Sequence, residues 1–378
     1  MKRIVFLLVC LASVVTSLPA QTIDATVCDI LSNPQSFDGK IVRVKGTVIA
    51  GFEEFAIKDA SCKQAVNAIW LAYPEGTKGK AGPTAVLQLQ LAKNSTGSDV
   101  APGRTAVQLE KSKEFKQFDS LLAAQYQGAG MCLGCGKNIV SATLVGRLDG
   151  TKTAGVTRDS AGKFVAVSGF GNLNMYTARL VLQSVSDVAS QAIDYSKAAA
   201  LTKEDSGLAS AGGDPVAAAH QAARAFGANS SAGAQIEQAA AAFGKPGEDN
   251  GVNVGFGVAN EVMKDDGAKG NGNSPDGLLF NCMFSMDRLK GDALAKAIVH
   301  MGAHIADIRG DKPSMKPIDA ENTAWETTVL SSIATGNKTL TLPGGYIVWS
   351  IAWAPADRNK LVGDAITSYL SSWSVFGK

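Results

Sequence analysis

The sequence contains few histidines, few cysteines and almost no excess charge, and each shortage limits what the protein can be. Only three histidines and six cysteines occur among 378 residues, and the first histidine, His220, lies beyond the midpoint of the chain. The 36 Lys and Arg residues face 34 Asp and Glu residues and form no basic cluster. Since nucleic-acid binding needs a basic surface against the phosphates, we expect no nucleic-acid partner.

Long apolar runs are also absent beyond the first residues of the chain. Lys2 and Arg3 precede an apolar run between residues 4 and 15, and a small residue, Ala20, ends the segment. This layout is typical of a cleaved secretory signal, which we assign to residues 1–20. The run is shorter than the roughly 20 residues that cross a bilayer. We therefore expect a secreted or periplasmic protein whose mature form has no transmembrane segment.

The five cysteines that follow the signal suggest disulfides, because these bonds persist outside the cytoplasm. Four of them allow three pairings, and we expect Cys28 to pair with Cys62 and Cys132 with Cys135. The Cys132-Leu-Gly-Cys135 spacing also fits half of a zinc site or a redox dithiol. A zinc ribbon needs a second close pair, and a thioredoxin-type motif needs a βαβ context. Cys282 lies in an apolar strand and is expected to be a buried thiol.

The amino-terminal part has the pattern of a small β-barrel. Apolar alternation predicts five strands, at residues 41–49, 55–58, 65–73, 139–148 and 178–185, with a helix at 112–126 between the third and fourth. The polar stretch from Glu75 to Arg104 predicts a loop. This order is that of an OB-fold, and Cys28 to Gly46 resembles the opening of OB-like modules in exported bacterial proteins. We assign residues 22–189 to an OB-like barrel domain with a capping helix.

A second, α/β domain is predicted after an Ala/Ser/Gly-rich linker at residues 190–213. Residues 214–378 contain predicted helices at 215–226 and 232–243, strands at 252–258 and 278–284, and a longer helix at 291–308. The fold class is therefore α+β with two domains. Leu294, Ile298 and Ile305 belong to one apolar stripe of the long helix, and His300 and His304 fall on a neighbouring face.

The two helical histidines are four residues apart, so one turn places both imidazoles on the same side of the helix. That spacing allows them to hold one metal ion at about 2.0 to 2.1 Å. Residues 297–307 resemble the active-site helix of zincin-type metallopeptidases, His-Glu-x-x-His. The resemblance implies zinc as the cofactor and a downstream glutamate, Glu326, as the third ligand. Asp307 would orient a metal-bound histidine.

The sequence departs from that family at the general base, because Met301 occupies the position of its catalytic glutamate. Methionine cannot take a proton from zinc-bound water. We therefore assign no catalytic residue and expect an exported binding or scaffold protein with a degenerate metallopeptidase-like domain. Its partner would be a peptide, a protein or a cell-envelope component. Two alternatives remain: a zinc hydrolase that uses His300, His304 and Glu326, or two histidines that bind nothing.

Overall fold

The computed structural model describes thirteen ranges of the chain. They are residues 21–51, 53–64, 66–83, 85–91, 104–123, 138–161, 163–192, 233–245, 250–257, 276–285, 292–310, 339–341 and 347–350. The predicted signal, Cys132, Cys135, Glu326 and most of the predicted linker lie outside these residues. No helix in the described ranges is long and apolar enough to cross a membrane.

Thirteen strands and four α-helices lie in the described residues. The strands are β1 (Ile23–Asp24), β2 (Ile41–Ala50), β3 (Phe55–Lys58), β4 (Ala68–Ala72), β5 (Ala85–Leu91), β6 (Asn138–Gly150), β7 (Gly155–Arg158), β8 (Phe164–Ser168), β9 (Ala178–Ala192), β10 (Val252–Gly257), β11 (Leu278–Ser285), β12 (Thr339–Thr341) and β13 (Ile347–Ser350). The helices are α1 (Val27–Ser32), α2 (Lys113–Ala123), α3 (Gly233–Ala241) and α4 (Asp292–Arg309).

Five strands close into a barrel in the order β2-β3-β4-β9-β6, and β6 pairs again with β2. Strands β4 and β9 are parallel, and the other neighbours in the barrel are antiparallel. Along β2 the side chains of Val42, Val44 and Val48 are buried, while Arg43 and Lys45 face solvent. This alternation follows from the two-residue period of a strand. The closed five-stranded barrel with a helix between its third and fourth strands confirms the predicted order of elements.

Helix α2 and the disulfide-bonded Cys62 pack into the barrel core. The hydroxyl of Ser112 accepts a hydrogen bond from the backbone N–H of Phe115, so Ser112 caps the start of the helix. Phe115 and Phe118 of α2 are buried in the barrel core. Cys28 and Cys62 form the predicted disulfide, which links α1 to the segment after β3.

A buried acidic group joins the long barrel strands β6 and β9. Asp149 is fully buried, and its carboxylate lies 2.9 Å from the guanidinium of Arg147, 2.9 Å from that of Arg179 and 3.1 Å from that of Arg104. Burial raises the pKa of this carboxyl, but the contacts with Arg147 and Arg179 outweigh burial and hold the pKa below its usual value. The ionised carboxylate therefore balances cations from three parts of the chain.

The predicted loop from Glu75 to Arg104 is wrong in part, because it contains β5. One edge of β5 pairs antiparallel with β11, and β11 pairs in parallel with β10. Residues from both predicted domains therefore share one three-stranded sheet. On the other edge of β5, the side-chain oxygens of Asn172 and Asn174 accept hydrogen bonds from the backbone N–H groups of Leu87 and Leu89. These two side chains occupy the places where another strand would pair.

Candidate metal centre

Helix α4 presents its two histidines on the side opposite to its helical neighbour. A Cβ at Gly302 would collide with the carbonyl oxygen of Ala239, so the absence of a side chain there lets α3 approach α4 closely. His300 and His304 are each two residues from Gly302, about 200° around the helix. Both imidazoles are fully buried, and their Nε2 atoms are 3.1 Å apart. The histidines lie on a face of α4 beside the apolar stripe, and the structure shows that this face is buried as well.

The third member of the cluster, Glu53, comes from the barrel. It lies in the tight turn between β2 and β3, where the backbone N–H of Gly51 donates to the carbonyl oxygen of Glu54. Its Oε1 is 2.6 Å from Nε2 of His300 and 3.5 Å from Nε2 of His304, and the residue is only 7% exposed. The fold therefore brings a carboxylate from the β2–β3 turn onto a histidine pair nearly 250 residues later in the chain.

The spacing of the three donor atoms suits a small divalent cation. The separations of 2.6, 3.1 and 3.5 Å place each atom about 1.8 Å from the centre of the triangle they define. A cation about 1 Å above that centre would be about 2.05 Å from all three, which matches zinc bound by histidine and carboxylate. In a regular tetrahedron with bonds of this length the metal lies about 0.7 Å above the plane of three ligands, so these three donors are slightly closer together than in a regular site.

The contact between the carboxylate and the imidazoles is close but poorly aligned for hydrogen bonding. Oε1 of Glu53 is buried and makes no hydrogen bond of normal geometry with the described side chains, although an imidazole nitrogen lies 2.6 Å away. A buried carboxylate oxygen without an aligned donor is costly. A cation bound between the three donor atoms would satisfy this oxygen.

Burial and charge oppose one another at this cluster. Burial raises the pKa of Glu53, but the charges of the neighbouring imidazoles, first that of His300, outweigh burial and hold the pKa well below its usual range. Burial, and secondarily the Glu53 charge, raises the pKa of the Cys282 thiol well above its ordinary value. Glu53 is therefore ionised beside the histidines, and its field reaches the cysteine on β11.

Two of the residues that the sequence proposed as metal ligands, His300 and His304, come together in the structure. Glu326 lies outside the described residues, and so does the side chain of Asp307 on α4, so their proposed roles stay predictions. Glu53 was missed because a charged residue in a turn between two strands is commonplace. Its partners lie in a distant helix, and no local pattern could have identified them.

A second group of metal-ligand residue types consists of Cys28, Asp59 and Cys62. The two sulfurs are bonded to each other, so they cannot act as thiolate ligands while the disulfide is intact. In the described residues, Glu53, His300 and His304 are therefore the group whose donor atoms are available to a cation.

Comparison with known proteins gives no relative from which a function could be transferred. The chain matches no protein-family model, no curated protein and no solved structure.

Proposed function

We propose that the chain is an exported binding or scaffold protein in which a zinc ion, held by Glu53, His300 and His304, joins helix α4 to the barrel. The convergence of three buried donor atoms within 3.5 Å of one another supports the metal. Two imidazoles with one carboxylate are donors that suit zinc, whereas magnesium and calcium favour sets of oxygen ligands. The Cys28–Cys62 disulfide is consistent with export.

The barrel would carry the binding function. If the five barrel strands are numbered along the chain, their order around the barrel is 1-2-3-5-4, and the fourth pairs again with the first. This order, the position of α2 and the parallel pairing of β4 with β9 are consistent with an OB-fold. OB-folds bind extended ligands on the barrel face, but the fold alone does not select one. With balanced charge and no basic cluster, we propose a peptide, a protein or a cell-envelope component as the partner.

A peptidase role is disfavoured by the burial of the donor atoms. A catalytic zinc keeps one coordination position open to water and substrate. Here both histidines are fully buried, and so is Met301, which occupies the place of the general base in zincin-type enzymes. A degenerate zincin-like helix whose metal serves structure agrees better with this packing than a hydrolase that uses Glu326 does.

Metal analysis of purified mature protein tests this proposal. We expect one zinc per chain in the natural protein and loss of zinc in Glu53→Ala and His300→Ala. The matched control is His220→Ala, which removes the histidine outside the pair and should keep the zinc. A natural protein that fails to bind zinc would contradict the proposal. Zinc lost in Glu326→Ala but kept in Glu53→Ala would favour the ligand set of the hydrolase alternative.

Peptidase assays on the same proteins test the binding role. We expect no zinc-dependent peptide hydrolysis by the natural protein, since Met301 in the place of the general-base glutamate cannot accept a proton. Hydrolysis that is abolished in Glu326→Ala would overturn the binding role and support a secreted zinc hydrolase.

A further inference from the structure

We propose that the thiolate of Cys282 is the fourth zinc ligand, so that the site is a closed set of two histidines, one glutamate and one cysteine. This inference rests on the proposed zinc site and names its remaining donor. It also gives a function to the cysteine of β11, which neither the barrel nor the disulfide uses.

The three donors already described leave one tetrahedral position to fill. Structural zinc sites have four protein ligands, whereas a site with three protein ligands normally exposes the fourth position to water. His300 and His304 are fully buried and Glu53 is 7% exposed, so bulk water has poor access to this position. A donor from the protein interior is therefore the better candidate.

Cys282 lies on β11, a strand that contacts the helix of the two histidines. Residues two apart share one face of a strand, so Cys282 lies on the same face of β11 as Phe280. The guanidinium of Arg309, at the end of α4, lies 4.6 Å from the centre of the Phe280 ring, so this face of the strand is turned towards the helix that carries the histidines. Cys282 is fully buried and unbonded to any other cysteine.

The sulfur of Cys282 must move towards the other three donors to complete the coordination. Sγ of Cys282 lies outside the 4.8 Å range that encloses the donor atoms of Glu53, His300 and His304. The proposal requires that rotation about the Cα–Cβ bond of the cysteine, together with any shift of α4 relative to β11, brings sulfur to about 2.3 Å from the metal. On binding, the S–H bond breaks, a zinc–sulfur bond forms and the proton passes to solvent.

The competing explanation is that Cys282 is a small buried residue with no function beyond packing. The two explanations differ in a spectroscopic property, because only a metal-bound thiolate gives sulfur-to-metal charge transfer. Cobalt(II) is a suitable probe, since it occupies zinc sites and its bond to sulfur absorbs in the near ultraviolet.

We therefore suggest titrating the full mature chain, with its disulfide intact, with cobalt(II). We expect one equivalent to bind with a sulfur-to-cobalt band, and zinc to displace it. Cys282→Ser should lose the band and bind zinc more weakly, by more than the roughly 10- to 100-fold cost of removing an outer-shell partner. The control is Met283→Leu, which removes a sulfur from the opposite face of the same strand at nearly constant volume and should keep the band.

The outcomes separate the two proposals. Cobalt that binds to the natural protein without a sulfur band would overturn the role of Cys282 and leave the three-donor zinc site standing. A band that persists in Cys282→Ser would also overturn it, because the sulfur would come from another residue. A natural protein that binds neither cobalt nor zinc would overturn both proposals. The cobalt spectrum of the natural protein decides the question even where a variant does not fold.

Discussion

Free zinc should stabilise the folded chain by a fixed amount for each tenfold rise in its concentration. The reason is that the site exists only when the β2–β3 turn and α4 are together, and the unfolded chain keeps them apart. A ligand that binds only the folded state stabilises it by RT ln(1 + [L]/Kd). For a single site, this corresponds to about 1.4 kcal/mol per decade of free zinc above the dissociation constant.

The stabilisation by zinc should differ between variants according to whether the substituted residue belongs to the donor cluster. At a zinc concentration 100 times the dissociation constant, the natural protein should gain about 2.7 kcal/mol relative to the metal-free protein. Glu53→Gln removes the charge of the ligand that lies 2.6 Å from His300, so its slope should fall sharply at the same zinc concentrations. Glu54→Gln changes the neighbouring carboxylate of the same turn, which is not part of the donor cluster, and should keep the full slope.

The measurement is urea unfolding followed by circular dichroism at a series of buffered free zinc concentrations. Stability in each buffer is plotted against the logarithm of free zinc. A natural protein whose stability does not depend on zinc would refute the proposed site. Equal slopes in the natural protein and Glu53→Gln would show that zinc binds elsewhere.

Three further outcomes are expected. Asp149→Ala should lower the free energy of unfolding by about 3 to 5 kcal/mol, because it leaves buried arginines without their counter-ion. The control Asp24→Ala removes one partner of an exposed ion pair and should cost less than about 1 kcal/mol, so similar urea midpoints for the two variants would contradict the prediction. The double variant Cys28→Ser/Cys62→Ala should lower the free energy of unfolding by about 4 kcal/mol, since the disulfide joins residues separated by 34 positions in the sequence. Urea unfolding measures this change, and an unchanged midpoint would count against the prediction. Bound zinc should be released as the pH falls through about 6, because imidazole nitrogens must be unprotonated to bind metal. Zinc that stays bound after dialysis at pH about 4 would be inconsistent with histidine ligands.

The barrel could be predicted from the sequence because each of its strands carries its own signal. In β2 the apolar residues alternate with Arg43 and Lys45, so the side chains that enter the core are visible in the sequence itself. Helix α2 likewise shows its buried face through Phe115 and Phe118. Such local periodicity reflects which face is buried, and here it was enough to give the order of strands and helix.

Strand β5 shows the limit of that method. Leu87 and Leu89 alternate with Gln88 and Gln90 as in a half-buried strand, but the polar and glycine-containing segments on both sides favour a loop over the whole stretch. Its identity as a strand depends on pairing with β11, which no local pattern reveals. Tertiary pairing therefore decided the structure of this segment.

For a related reason, the sequence predicts the two histidines of the candidate site but not its glutamate. The spacing of His300 and His304 is a local property of one helix, and it correctly placed both imidazoles together. The contribution of Glu53 depends on how the β2–β3 turn meets α4, which is a property of the whole fold. The burial of the pair was likewise invisible, since it depends on what packs against the far side of the helix.

The pairing of β5 with β11 has a consequence for the order in which the chain folds. Leu89 and Phe280 are paired across about 190 residues, so this contact closes one of the longest loops in the described structure and should form late. Until then one edge of the β5 segment is unpaired, so a strand of a second chain could pair with it. The side chains of Asn172 and Asn174 cover the other edge of β5, so the risk of such pairing is confined to one edge and lasts until β11 pairs with β5.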